Sequence, residues 1–153
     1  MNVIQLNERN EVSGVSKLSK IYSQFGELLN EIRKKELPGK IVESINQDVA
    51  ELNSSTLAGD QLRKLVKQKQ TKILKLLEKE LKITPKNYYR TLWLALGMAL
   101  GSGMGAAFGV SSKNMSFIGI GIPIGMVIGM AVGTALDKKA FAEGRQLDIE
   151  IKY

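Results

Sequence analysis

Two stretches of this chain, Thr91 to Ser112 and Asn114 to Leu136, carry no charged side chain, and Lys113 alone stands between them. Each is long enough to cross a hydrocarbon core of about 30 Å, which takes about 20 helical residues. The connecting "SSKN" (111–114) leaves room only for a turn, so two helices joined by it lie antiparallel. A soluble fold of 153 residues could hardly cover two helices that are apolar on every side. The predicted fold class is therefore an all-α membrane protein: amphipathic helices followed by an antiparallel two-span transmembrane hairpin.

Within these stretches glycine recurs at 97, 101, 105 and 109, and again at 121, 125, 129 and 133. A spacing of four puts each set on one helix face. Glycine costs about 1 kcal/mol relative to Ala in a helix in water, so its repeated use needs a reason. In a bilayer, small residues spaced by four let two backbones approach closely and gain dispersion contacts. Gly97, Gly101, Gly105, Gly109, Gly121, Gly125, Gly129 and Gly133 are thus the candidate helix-packing residues. Pairing 97 with 133, 101 with 129, 105 with 125 and 109 with 121 centres every pair on Met115, which predicts glycine facing glycine, rung by rung. Gly103 and Gly119 lie off these stripes and could serve a second contact face.

Local signals set the ends of the hairpin. Thr84 suits an N-cap and Pro85 the first helical position, which predicts that the first span's helix begins there. Tyr88, Tyr89 and Trp93 fit an interfacial aromatic belt. Pro123 predicts a modest kink near Gly119. Lys86 and Arg90 flank the start, and Lys138, Lys139 and Arg145 the end, against Lys113 alone in the turn. That bias predicts both termini cytoplasmic and the turn at 111–114 on the far side of the membrane. The opening "MNVIQLNERN" lacks a basic stretch followed by an apolar core, so no cleavable signal peptide is read.

Residues 1–83 read as a soluble helical module. Val15, Leu18, Ile21, Tyr22, Phe25, Leu28, Leu29 and Ile32 share one helix face, and Pro38-Gly39 ends that helix. Ile41, Ile45, Val49 and Leu52 form a second stripe, broken by "NSST" (53–56). A third helix, from about Asp60 to Ile83, has Leu62, Leu65, Val66, Ile73, Leu76, Leu77 and Leu81 on its apolar face. Three such helices can share a core as a small bundle or coiled coil. After the second span, residues 138–153 read as a cytoplasmic tail whose helix runs to Glu143 and stops at Gly144. Leu147, Ile149, Ile151 and Tyr153 then alternate with Asp148, Glu150 and Lys152, a strand period. A frayed or isolated tail is the simpler expectation, and a strand added to a partner's sheet the sharper one.

The net charge of +7 is concentrated. Residues 61–90 hold ten Lys or Arg against Glu78 and Glu80. Lys64, Lys67, Lys72, Lys75, Lys79 and Lys82, continued by Lys86 and Arg90, are the candidate lipid-headgroup residues, since a basic residue near an anionic membrane contributes about 1 kcal/mol. The plainer reading is a solvated helix face. No nucleic-acid fold signature accompanies the lysines, so nucleic acid is not an expected partner.

The absence of Cys and His excludes disulfides, thiolate chemistry and lipid attachment through Cys, and removes the commonest general base and zinc ligand. No nucleophile–base pair or phosphate-binding loop is visible, so neither enzymatic activity nor a cofactor is expected. The glycine-rich spans lack the preceding strand and following acid that dinucleotide binding needs. The runs "NYYRTLWLALGMALG" and "IGIGIPIGMVIGMAVGTALDKKAFAEGRQLDIEIKY" resemble bacterial glycine-zipper membrane proteins, more narrowly small two-span proteins of Bacteroidota-type bacteria. The resemblance covers about residues 85–153 and implies a membrane setting and close helix packing, with no mechanism attached. The resulting expectation is a non-enzymatic membrane protein whose hairpin anchors and homo-oligomerises, and whose helical module self-associates or binds a cytoplasmic protein. The alternatives are a pore-forming, holin-like or membrane-acting toxin protein, and a chain whose hairpin is masked until it inserts.

Overall fold

A computed structural model of the protein describes residues 2–9, 12 and 17–151. Val15, Lys152 and Tyr153, named in the helix and strand patterns above, lie outside the described residues. The elements run α1 (Lys17–Arg33), α2 (Gly39–Ser54), α3 (Gly59–Leu81), β1 (Thr84–Pro85), α4 (Tyr88–Ser111), α5 (Ser116–Ala142) and β2 (Gln146–Leu147). The chain divides into two compact units, Met1–Thr84 with Leu147–Tyr153, and Pro85–Gln146.

In the first unit, α1, α2 and α3 turn their apolar stripes inward. Leu18, Tyr22, Phe25, Leu28, Leu29 and Ile32 are buried from α1, and Ile41, Val42, Ile45, Val49 and Leu52 from α2. Their spacing of three and four residues makes one face of each helix continuous, which is why the helices form where packing can hold them. Pro38 is not the end of α1. That helix stops at Arg33, and Pro38 is the N-cap of α2. On α3, Leu62, Val66, Ile73, Leu74 and Leu77 are buried, while Leu65, Leu76 and Leu81 only flank the core. Lys69 and Gln70 are buried with them, which the apolar-face reading left out.

The tail also departs from expectation. Leu147 is fully buried, Ile149 is buried, and Ile151 flanks the same core, so the segment is neither frayed nor isolated. β2 pairs with β1 of the same chain, in a two-stranded sheet. The alternating apolar residues read as a strand signal, and their destination is this chain's own core.

The second unit is an antiparallel pair of long helices, each long and apolar enough to span a membrane. α4 begins at Tyr88, not at Thr84–Pro85. Those two residues form β1, and Asn87 turns the chain into α4 in the left-handed conformation (φ 61°). α5 runs through Pro123 without a break and ends at Ala142. Glu143 caps it, and Gly144 takes φ 69°, as the glycine stop signal predicted. The unit therefore extends to Gln146, beyond the sequence boundary at 137.

Candidate functional site

The seam between α4 and α5 is built from the eight predicted glycines, all buried except the half-buried Gly121. A methyl group on Gly97 would overlap the carbonyl oxygen of Gly125, and one on Gly125 that of Gly97. Gly101 and Gly121 oppose each other in the same way. On Gly129 it would strike the Trp93 carbonyl, on Gly105 that of Phe117, and on Gly133 the Cα of Arg90 at 2.5 Å. Gly109 closes the seam at the turn, against Asn114 and Met115. At the other seven positions the backbones leave no room for a side chain, so only glycine satisfies them, whereas at Gly109 the nearest atom lies at 3.1 Å. Gly103 and Gly119 face open space, with nothing within 4 Å of an added methyl.

The register differs from the rung-by-rung pairing. Gly97 sits between Gly125 and Gly129, and Gly101 between Gly121 and Gly125. Gly121 and Gly125 in turn sit between glycines of α4. The glycines interleave, and the centre of the hairpin moves from Met115 to Ser112. The cause is steric. At so short a separation each turn of one helix seats in the hollow between two turns of the other. The turn that joins the helices places Lys113 at φ 53°.

The face that the glycines leave is apolar and bulky. Leu100, Met104, Phe108 and Val110 of α4, with Ile120, Ile124, Val127 and Ile128 of α5, are exposed, Val127 at 68%. At the open end the seam stripe continues one step past Gly133 to Asp137, which is buried. Its Oδ1 accepts the Tyr89 N–H at 3.1 Å and its Oδ2 the Arg90 N–H at 2.9 Å. Asn87, the residue before α4, makes no side-chain cap bond. Asp137 thus supplies from α5 the acceptors that a helix N-terminus requires, and places a negative charge at its positive end.

On the first unit, Lys64, Lys67, Lys72, Lys75, Lys79 and Lys82 are all exposed, as are Lys86 and Arg90 of the second. The Lys72 Nζ bonds Asp48 Oδ1 of α2 at 2.8 Å. Lys69 reaches the same oxygen at 2.9 Å and Glu51 at 2.5 Å. Burial works against the Asp48 carboxylate, yet hydrogen bonds from Lys72 and Lys69 outweigh it and hold its pKa below the ordinary aspartate value. Burial likewise works against the Lys69 ammonium, and the bonds to Glu51 and Asp48 raise its pKa nonetheless. Two of the ten basic residues of 61–90 therefore tie α3 to α2 rather than facing a ligand. Elsewhere Lys64 and Lys67 join Lys17, Lys20 and Arg63 around a cleft of about 420 Å³ between α1 and α3, whose inner wall includes Ile21 and Gln24.

Sequence reasoning missed Lys17, Lys20 and Arg63 as members of that basic surface, because only packing brings α1 beside α3. It missed Asp137 as a cap, although its place four residues after Gly133 was a usable signal. Among the described residues no cluster of three or more Asp or Glu could hold a metal ion. Comparison with protein-family models, with curated proteins and with solved structures finds no match to this chain.

Proposed function

We propose that the chain is a non-enzymatic membrane protein: the α4–α5 hairpin inserts into a bilayer as an anchor, and the first unit stays at the surface with its basic face toward anionic headgroups. One observation carries the reading. The hairpin turns glycine inward and Phe, Leu, Ile, Val and Met outward, the reverse of a fold that meets water. Without a hydrophobic force between helices in lipid, close backbone packing is what holds two spans together. An exposed apolar surface of this extent has its natural solvent in hydrocarbon.

The orientation follows from two supports. Basic residues flank the open end, and Lys113 stands alone at the turn. The first unit also contains chain from before and after the hairpin, so both must emerge on one side. The sequence resemblance to bacterial glycine-zipper proteins supports a bacterial setting, and the basic bias at the open end puts the first unit on the cytoplasmic side of an inner membrane. The glycine stripes are used within the hairpin and leave no lumen, which favours packing over a pore in a single copy. Self-association would then use the outer face, where Gly103 and Gly119 are open.

The test is alkaline carbonate extraction of membranes from cells making the full chain, followed by flotation on liposomes with and without anionic lipid. The chain is expected to stay in the extracted membrane and to float. Recovery of a stable, monodisperse chain from the aqueous fraction would overturn the anchor. Equal flotation of the chain and of a Lys64→Gln, Lys67→Gln, Lys75→Gln variant across lipid charge would remove the headgroup role.

A further inference from the structure

Residues 2–9 form neither helix nor strand, yet they are held along their backbone by side chains of α1 and α2. Asn46 accepts the Ile4 N–H at 2.8 Å through Oδ1 and donates Nδ2 to the Asn2 carbonyl at 3.1 Å. Asn53 repeats the arrangement one step along, accepting the Asn7 N–H at 2.9 Å and donating to the Gln5 carbonyl at 2.9 Å. From the other wall, Arg33 donates to the carbonyls of Val3 (2.9 Å) and Ile4 (2.7 Å), and the Tyr22 hydroxyl to that of Asn7 (2.7 Å).

The two amide clamps are in register for a reason. Asn46 and Asn53 are seven residues apart on α2, about 10 Å along the helix. The segments they grip are three residues apart, which in an open chain also spans about 10 Å. The side chains of the segment follow the same period of three. Val3 is buried, and Leu6 flanks the core. Arg9 places its guanidinium on the Leu52 (2.7 Å), Ser55 (2.6 Å) and Leu57 (3.2 Å) carbonyls at the end of α2. Leu52 lies in the last turn of α2, where its carbonyl also accepts the Ser55 N–H, and Ser55 and Leu57 follow it; the carbonyl end of a helix suits a cation. Asn2, Ile4, Gln5, Asn7 and Glu8 are exposed.

The segment does not fill the space it occupies. A cleft of about 420 Å³ opens beside Val3 and Gln5, against Arg33 and Val42. Another of about 750 Å³ opens beside Leu6 and Arg9, against Tyr22 and Gly26. A groove that grips backbone through fixed amides, takes an apolar side chain at every third position and ends in an arginine site is a receptor for an open-chain peptide.

We propose that the α1–α2 groove is a peptide-binding site, and that residues 2–9 occupy it as a built-in ligand in competition with a partner's segment of the form apolar-x-x-apolar-x-x-Arg. This names the class of protein partner for the first unit, and it holds whether or not the hairpin enters a bilayer. Because recognition is mostly to backbone, the partner needs only that pattern and an unstructured stretch; the cis segment sets the threshold it must exceed.

The probe is a fluorescein-labelled peptide of residues 2–9, NVIQLNER, titrated by anisotropy against the full chain in mild detergent. A Val3→Asp, Leu6→Asp chain, with its cis ligand weakened, is expected to bind at least tenfold tighter than wild type. Adding Asn46→Ala and Asn53→Ala should reverse that gain, and a peptide with Arg9→Ala should bind about tenfold more weakly. Failure of the weakened chain to bind, while its helicity and melting match wild type, overturns the proposal; so does equal binding of a scrambled peptide. If that chain misfolds, the wild-type chain decides. A photoreactive residue at the exposed Ile4 position of the peptide should crosslink to α1 and α2 and be displaced by unlabelled peptide. Crosslinks scattered over the chain, or not displaced, reject the groove.

Discussion

The first unit hides Phe25, Leu28, Ile45 and Leu77 and shows lysine to its surroundings, whereas the second hides glycine and shows Phe108, Val127 and Ile128. Both are helices in close contact, but the contact is made of different matter. In the first, large side chains interdigitate and the hydrophobic effect in water drives them together. In the second, backbone meets backbone, and nothing about burial of apolar surface explains the choice. One chain thus joins two solutions to helix packing.

Truncating a side chain and adding one should have opposite consequences in the two units. Phe25→Ala empties the centre of the first core and is expected to cost about 4 kcal/mol. Urea unfolding followed by far-UV circular dichroism would read it, with the seam unaffected. Gly125→Leu should cost about 3 kcal/mol or more, because the obstructing Gly97 carbonyl is backbone and cannot move aside. The sole tryptophan, Trp93, is in α4 with its carbonyl against Gly129, so its fluorescence during a sodium dodecyl sulfate titration follows separation of the two helices. Gly103→Leu, made on the open face, should leave the midpoint unchanged. An equal loss at both positions would dissolve the distinction between seam and surface.

Charge sharpens the contrast further. Asp48→Asn should cost the first unit about 2 kcal/mol, less than the roughly 3–5 of a fully stranded buried charge, since Glu51 still meets Lys69. The same contact gives a pH signature. Because the folded Asp48 pKa lies below the unfolded one, its contribution is complete above the unfolded value and is lost as pH falls below about 4. A stability–pH profile in which Asp48→Asn flattens that acid limb would confirm the assignment, and an unchanged limb would reject it. The smallest effect is expected in the second unit. Asp137→Ala removes the acceptors for Tyr89 and Arg90 and should cost about 1 kcal/mol, the value of a lost helix cap. Amide exchange at Tyr89 and Arg90 would rise while the glycine positions stay protected.

The elements of the fold were legible because each rests on local periodicity. The faces of α1 and α2, the two apolar helices and the stop at Gly144 follow from spacing alone. What escaped depended on which neighbour an element meets. Lys69 and Gln70 look like surface residues until α2 supplies Asp48 and Glu51 to the first of them. Thr84-Pro85 has the residues of a helix start, but pairing with Gln146–Leu147 takes them for β1. The eight glycines were identifiable one by one. Their interleaving was not, since it depends on how the two backbones seat against each other. The N-terminal segment carries neither a helix nor a strand period; its spacing of three (Val3, Leu6, Arg9) gains meaning only once side chains of α1 and α2 are seen to hold its backbone.

The burial of Leu147 and Ile149 beside α1, α2 and α3 has a consequence for the order of events in the cell. These residues leave the ribosome after the hairpin, so the first unit cannot close its core while only its own three helices have been made. During that interval its apolar faces are incompletely covered, while both helices of the hairpin have already been made. The first unit therefore completes its core only after the whole hairpin has been synthesised, and a chain stalled before residue 147 carries an unfinished core.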